Sequence, residues 1–314
     1  MPAVSLRARL VAPAILLAAA CLGWIDGRAR DSDLEYFARA GRTLLSGSWA
    51  HAFAEQGLQA GPLQLAFCGF AARGADVLDV SPMRVLALGL EPALLALLLL
   101  VAAPRRPGAQ LAVGGIALAL GLAHSAVLDG HPAEIAIPLV WVLAARDARA
   151  GRMLGAGLLV GLSGGLELWG LLGVAVLALA PSLRRALVGT ALAAGTLGAL
   201  LAPFVLGGDF HMFAYRWPIS EGTPLSLVAQ VGTPFTWELR LAQAATAVFA
   251  AGALARAARG SAHAVWAVPA VVVAVRLLLD PVWNPWYWLA LQTLGLAGLA
   301  TLLADRRALD VVKA

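Results

Sequence analysis

Long apolar runs recur from one end of this chain to the other, and they restrict its fold more than any other feature. A helix needs about 20 mostly apolar residues to cross the hydrocarbon core of a bilayer. Only 13% of the 314 residues are charged, and the mean hydropathy is +0.81, whereas about a quarter of a soluble domain is charged. The pattern predicts one all-α integral membrane domain over residues 1–314, a polytopic helical bundle without a separate soluble domain.

Arginine positions orient the predicted helices, because cytoplasmic loops carry an excess of positive charge. The apolar runs predict about ten spans, at roughly 9–25, 83–103, 110–128, 132–145, 152–165, 166–180, 186–206, 241–257, 262–279 and 286–304. Arginines then fall on one side, at positions 7, 9, 105, 106, 146, 149, 152, 184, 185, 256, 259, 306 and 307. We therefore expect a multi-pass protein of the plasma membrane with both termini in the cytoplasm.

This alternation requires that residues 62–79 do not cross the membrane. That segment is apolar at first and then polar, so we interpret it as a helix lying against the outer surface. The outer side then holds 26–82 as a first loop with interfacial helices, together with 128–134, 163–169, 207–240 and 280–288. Most carboxylates and histidines lie in these segments, which indicates a functional site on the outer face.

The same sorting bears on partners and cofactors. The net charge of +5 comes from arginines scattered over short loops, so it indicates membrane topology and not a nucleic-acid partner. Cys21 and Cys68 lie in apolar surroundings and give neither a disulfide framework nor a metal-binding spacing.

The densest acidic cluster, Asp31, Asp33 and Glu35, follows the first apolar run. Residues 33–46 predict an amphipathic helix, with Leu34, Phe37, Ala38, Gly41, Leu44 and Leu45 on one face. Ser32 and Glu35 have the spacing of a capping box, and an acid in the first turn suits the helix dipole. Asp33 is therefore either an ordinary helix-start acid or a functional carboxylate.

The stretch DLEYFARAGRTLLSG, residues 33–47, resembles the first outer loop of GT-C class glycosyltransferases that use polyprenyl-phosphate sugars. It is most similar to the actinobacterial mannosyltransferase-like branch, in which an Asp is followed by a Tyr three residues later and by a helix ending in Leu-Leu-x-Gly. The resemblance implies a GT-C-like bundle with Asp33 as the catalytic base, Asp31 as the alternate and Tyr36 beside the substrate. A carboxylate at headgroup depth suits proton abstraction from an acceptor hydroxyl.

A second stretch that resembles this branch is Gly-His-Pro with an acid close behind, at 130–134. Asp129, His131 and Glu134 are candidates for binding the phosphate, the sugar or a divalent cation, although no cofactor is certain. The alternative is a turn followed by a helix cap. Where relatives carry a Lys near the next helix, this chain has Glu167 and Trp169, so a cationic contact to the donor phosphate is missing.

The last outer segment carries the remaining candidates. Arg276 and Asp280 are four residues apart at the end of a span, so Arg276 either binds the lipid phosphate or forms a salt bridge with Asp280. Asn284 and Tyr287 belong to an Asn-Pro-x-Tyr stretch that resembles the opening of the family's last helices. Arg216, in the 207–240 loop, is a further candidate phosphate ligand.

These observations lead to one functional expectation with two alternatives. We expect an enzyme that transfers a sugar, with mannose as the implied example, from a polyprenyl phosphate to a lipid or glycan acceptor of the cell envelope. The alternatives are a transporter or lipid flippase and a non-catalytic subunit of GT-C type.

Overall fold

The computed structural model describes residues 6–26, 33–102 and 107–313, and for 6–9, 26 and 304–313 the backbone only. These residues form helices and no β-strands. The α-helices are α1 Leu6–Asp26, α2 Asp33–Leu44, α3 Pro62–Leu78, α4 Pro82–Ala102, α5 Pro107–Ala119, α6 Leu122–Leu128, α7 Ala133–Arg149, α8 Met153–Leu166, α9 Leu183–Gly207, α10 Trp237–Ala257, α11 Ala264–Leu278 and α12 Trp288–Lys313. Four 3-10 segments are Trp49–His51, Leu168–Leu179, Pro224–Leu227 and Pro285–Tyr287.

Within the described part of the chain, three helical segments are long and apolar enough to cross a membrane. They are Pro82–Ala102, Leu183–Gly207 and Pro285–Leu303. A fourth crossing is formed if α5 and α6 are taken together, and these two helices meet at an angle of 42°. The predicted run 110–128 is thus broken, at Gly121, whose φ of +60° is accessible to glycine at little cost.

The predicted run 166–180 also departs from a regular α-helix. Glu167 is extended, and Leu168–Leu179 is a 3-10 helix of 12 residues, which is long for this conformation. Because a 3-10 helix rises about 2.0 Å per residue, 12 residues extend about 24 Å, compared with about 18 Å as an α-helix. The conformation lengthens a short apolar segment along the bundle.

One end of the bundle, called the acidic end here, collects all five segments that the sequence places outside. In the first outer loop, Gly61 N donates to Leu166 O of the 163–169 segment at 2.6 Å. Phe53 O of the same loop accepts a hydrogen bond from His211 N of the 207–240 loop at 2.9 Å. The 207–240 loop in turn donates from Ser220 N to Pro281 O at 2.7 Å. Asp33 reaches His131 of the 128–134 segment. The five segments therefore form one connected layer.

The opposite end, called the arginine end, is tied together by guanidinium groups that donate to carbonyls at the end of α4 and in the turn between α10 and α11. Arg146 donates to Val101 O at 2.6 Å and Arg149 donates to Ser261 O at 2.7 Å. Cations near helix C-termini satisfy carbonyls that lack a partner within the helix. The arginine groups around 146–152 thus lie at the end of the bundle opposite to the charged contacts of Asp33 and Glu134.

Helices α2 and α3 pack side by side at the acidic end. The predicted apolar face of α2 is confirmed, since Leu34, Phe37, Ala38 and Gly41 are buried. A Cβ on Gly41 would lie 2.5 Å from Gly69 N, so both positions need glycine for the backbones to approach. Both ends of α3 lie at the acidic end, because Gly61 bonds to Leu166 and the α4 residue Arg84 stacks on Trp24 in the last turn of α1.

Candidate functional site

Asp33 begins α2 and is joined to the turn before α7. Its Oδ2 lies 3.0 Å from Nε2 of His131. The approach is close because position 130 is a glycine with φ of +90°, where a Cβ would lie 2.9 Å from Asp33 Cβ. The side chain of Asp33 is 56% exposed, and within the described part of the chain its second oxygen, Oδ1, has no hydrogen-bond partner. Asp33 thus presents one fixed and one available oxygen.

His131 is held on all sides. Its ring stacks on Trp286 with centroids 4.5 Å apart and planes 7° from parallel, and the Phe37 ring meets it edge-on. Its Nδ1 lies 3.9 Å from Glu167 Oε1. Burial lowers the pKa of His131, but hydrogen bonds to and charge interactions with Asp33 and Glu167 outweigh that effect and raise the pKa to about 9. His131 is therefore an imidazolium between two carboxylates at neutral pH.

Arg276, near the end of α11, forms a buried ion pair with Glu134 in the first turn of α7. Its two terminal nitrogens donate to the two Glu134 oxygens at 3.0 and 2.9 Å. The exposed fraction is 6% for Arg276 and 0% for Glu134. Such a bidentate pair is among the stronger charged contacts in proteins. Asp280, expected as the partner, lies 3.9 Å from Nε of Arg276, so it is the secondary one.

Two aromatic rings enclose the same guanidinium. Its central carbon lies 4.1 Å from the centroid of the Trp169 ring and 4.8 Å from that of Tyr287. Its face and its terminal nitrogens are therefore occupied by protein groups. This arrangement argues against Arg276 as the phosphate ligand and in favour of a structural role.

Glu167 and Trp169 join the two ion pairs. The indole N–H of Trp169 donates to Glu167 Oε2 at 2.8 Å, while the same ring covers Arg276. Glu167 in turn faces His131. The sequence marks Glu167 only as a replacement for a family Lys, and Trp286 is not among the predicted site residues, so both roles are missed. The spacing of Glu167 and Trp169, an acid and an indole two residues apart, is the one sequence signal that could have indicated their contact.

Of the remaining predicted residues, some lie beside these ion pairs and others lie apart from them. Asn284 accepts at its backbone oxygen from Tyr287 N at 3.1 Å, which fixes the Tyr287 ring beside Arg276. Tyr36 lies one turn along α2 from Asp33, and burial together with Glu55 raises its pKa to about 12. Asp129 is exposed at the end of α6, and Arg216 is exposed with Glu238 as its electrostatic neighbour.

The contacts among the described residues therefore bring Asp33, His131, Glu134, Arg276, Asp280 and Tyr287 into one group, joined by Glu167, Trp169 and Trp286. We call these nine residues the charge cluster. Neither Asp129 nor Arg216 contributes to it, and Asp31 lies outside the described residues. In the described part of the chain, no group of three or more His, Cys, Asp or Glu residues is arranged to hold a metal ion.

The fold and the cluster define an all-helical bundle that carries buried and half-buried ion pairs at one end. No family model, curated protein or solved structure matches this chain. The geometry of the cluster is therefore the basis for any functional assignment.

Breaking the buried pair should destabilise the bundle strongly. We expect Glu134→Gln to lower the free energy of unfolding by about 3–5 kcal/mol, because Arg276 is left buried without its bidentate counter-charge and keeps only the more distant Asp280. Asp76→Asn removes the exposed ion pair with Arg42, 2.8 Å long, and should cost at most about 1 kcal/mol. Thermal unfolding in detergent measures both, and equal effects of the two variants would contradict the assignment.

The Asp33–His131 pair should make stability depend on pH. The pKa of His131 is about 9 in the folded protein and 6.5 for a free imidazole, so its stabilisation is complete below pH 6.5 and is lost as pH rises through about 9. Melting temperatures between pH 6 and 10 should fall more steeply for the native chain than for Asp33→Asn. Asp209→Asn, which removes the exposed carboxylate 3.0 Å from His51, should keep the native slope. Parallel curves for native and Asp33→Asn proteins would refute the pairing.

Proposed function

We propose that the protein is a membrane glycosyltransferase with a GT-C-like arrangement of about ten spans. It transfers a sugar from a polyprenyl phosphate to a lipid or glycan hydroxyl at the outer face of the plasma membrane. The observation that carries the proposal is the half-exposed carboxylate of Asp33, held by His131 at 3.0 Å next to a layer of otherwise buried charge.

The placement of this carboxylate suits a lipid-linked donor. A polyprenyl phosphate keeps its chain in the hydrocarbon and its phosphate and sugar at the headgroup level. Asp33 begins an amphipathic helix whose polar face and first turn remain exposed, which is typical of helices lying in the interface. In this proposal its available oxygen lies at the depth at which the sugar of such a donor is presented.

The proposed reaction is a single displacement at the anomeric carbon. The acceptor hydroxyl oxygen forms a bond to this carbon, the bond from the carbon to the phosphate oxygen breaks, and polyprenyl phosphate leaves with the electron pair. Asp33 accepts the hydroxyl proton as the nucleophile attacks. Its negative charge also faces the oxocarbenium-like charge that develops on the sugar, as carboxylates do in glycosidases.

His131 and Glu167 act in this proposal as positioning residues. The imidazolium holds Asp33 Oδ2 and leaves Oδ1 directed to the acceptor, while Glu167 and Trp286 hold the imidazole ring. Preorganised groups of this kind reduce the cost of orienting the reactants. The Arg276–Glu134 pair supports the layer from below by joining α7 to α11.

A transporter is the second candidate, favoured by a separate buried pair. Glu91, in α4 and 1% exposed, lies 3.0 Å from Nδ1 of His124 in α6. The pair adjoins the bend between α5 and α6, and transporters place ionisable groups beside broken helices. It lies away from the charge cluster, so the two candidates depend on different residues.

Asp33→Asn should abolish sugar transfer, because the amide cannot accept the hydroxyl proton. We expect at least a 100-fold loss in membranes supplied with polyprenyl-phosphate mannose, within the usual range for a general base. Asp209→Asn, which alters a similar His–carboxylate contact on the same face, should retain native transfer. Expression and melting temperature serve as controls for folding.

Two outcomes would oppose the proposal. Undiminished transfer by Asp33→Asn would move the base elsewhere. Absence of transfer by the native protein, together with Glu91-dependent movement of a lipid or ion across proteoliposomes, would favour the transporter.

A further inference from the structure

Arg240, in the first turn of α10, is an arginine that makes no ion-pair contact with any residue the structure describes. Its guanidinium lies 5.5 Å from the centroid of the Phe235 ring and 5.6 Å from that of Trp237. Phe235 is 3% exposed, and the indole N–H of Trp237 donates to Phe213 O at 2.9 Å. The two rings are thus fixed, and they hold the guanidinium in place.

The guanidinium is partly buried and has no hydrogen-bond or ion-pair partner among the residues that the structure describes. Arginine carries five N–H donors and stays charged at all physiological pH values. Burying part of such a group without an acceptor costs free energy. Its position in the first turn adds a further cost, because the helix dipole already places partial positive charge there. An anion bound at this point would offset both costs.

Arg240 also lies beside the charge cluster. Asp280, Tyr287 and Arg276 are its electrostatic neighbours, although none of them is an ion-pair partner of Arg240. Arg276 is matched by Glu134 and His131 by Asp33. Burial raises the pKa of Asp280, although the charges of Arg276 and Arg240 act in the opposite direction. Of the cations around the cluster in the described chain, Arg240 is the one whose donors remain available.

We propose that Arg240, held between Phe235 and Trp237 at the edge of the charge cluster, binds a phosphoryl group. A guanidinium is suited to this ligand because its planar fork donates two parallel hydrogen bonds to phosphate oxygens. Nothing in the sequence pattern singled out Arg240. Of the two arginines that the pattern did favour, Arg276 is paired with Glu134, and Arg216 is exposed with Glu238 as its electrostatic neighbour. The assignment deepens the proposed function by supplying the cation for the donor phosphate.

The surrounding loop favours a lipid-borne phosphate over a free one. Phe235 N donates to Trp217 O and Ile219 N donates to Thr233 O, which closes residues 217–235 into a tight loop. At its tip, Leu227 is 86% exposed and Val228 is 83% exposed. Leu206, 85% exposed at the end of the apolar helix α9, precedes the same loop. Aliphatic side chains this exposed, on a loop that ends five residues before Arg240, fit the boundary between headgroups and hydrocarbon.

Binding measurements on the purified full-length protein test the site without requiring sugar transfer. Farnesyl phosphate, inorganic phosphate and farnesol are titrated into the native chain, Arg240→Gln and Arg240→Lys. We expect Arg240→Gln to weaken farnesyl phosphate binding at least 10-fold and Arg240→Lys to weaken it less, because lysine keeps the charge but not the fork. Farnesol should bind equally to all three proteins.

Arg84→Gln is the matched control. Arg84 is also a half-buried arginine in the first turn of a helix, 5.5 Å from the centroid of the Trp24 ring, but it lies outside the cluster. The Arg84→Gln variant should bind farnesyl phosphate with the same affinity as the native protein. Melting temperatures of all variants show whether each is folded.

The outcomes separate this inference from the proposed function. Equal affinity of native and Arg240→Gln proteins for farnesyl phosphate and for inorganic phosphate would overturn the site. Arg240-dependent binding of inorganic phosphate alone would keep the phosphate site but overturn its lipid source. Arg240-dependent binding of farnesyl phosphate in a protein whose transfer survives Asp33→Asn would support the site while refuting Asp33 as the base.

Discussion

The buried ion pair between Arg276 and Glu134 is the constraint on which the arrangement of the acidic end depends. An arginine inside an apolar bundle is tolerated only when its charge and its donors are matched. The two parallel hydrogen bonds and the Trp169 and Tyr287 rings meet that requirement. Because these groups come from α7, α11, the Leu168–Leu179 segment and the turn before α12, satisfying one guanidinium fixes four parts of the chain.

The half-exposed part of the charge cluster is connected to the buried Arg276–Glu134 pair. Trp169, which covers Arg276, donates its indole N–H to Glu167 and so holds this carboxylate, which faces His131. His131 then holds Asp33, the member of the ion-pair chain that is most open to solvent. The cluster therefore grades from a fully buried pair to an exposed carboxylate. Such a gradient keeps the Asp33 carboxylate in place while leaving it accessible, which is what the proposed role as a base requires.

Sequence reasoning reached the all-helical, apolar architecture because apolar runs are strong, local signals. The amphipathic face of α2 follows from residue spacing, and the convergence of five separate segments follows from which side of the bundle each loop occupies. The broken run at Gly121 and the 3-10 segment after Glu167 were not foreseen, since hydropathy reports burial and not backbone conformation.

Which residues form ion pairs was harder to predict than which segments of the chain lie close together. The spacing offered Asp280, four residues away, as one of two possible partners of Arg276, the other being a lipid phosphate. Glu134, 142 residues distant, has the better geometry. The sequence did not indicate Arg240, because the argument for it rests on the absence of a side-chain acceptor among the described residues, which only the packing reveals. Long-range pairing and unmatched charge depend on how helices pack, and no spacing rule contains that information.

The most direct test of the central claim is a cryo-EM structure in lipid nanodiscs with a non-transferable polyprenyl-phosphonate sugar bound. The account predicts density for the sugar within hydrogen-bonding distance of Asp33 Oδ1, with the phosphonate group on the Arg240 side of the charge cluster. Ligand density at the arginine end of the bundle, or an Asp33 separated from His131, would contradict it.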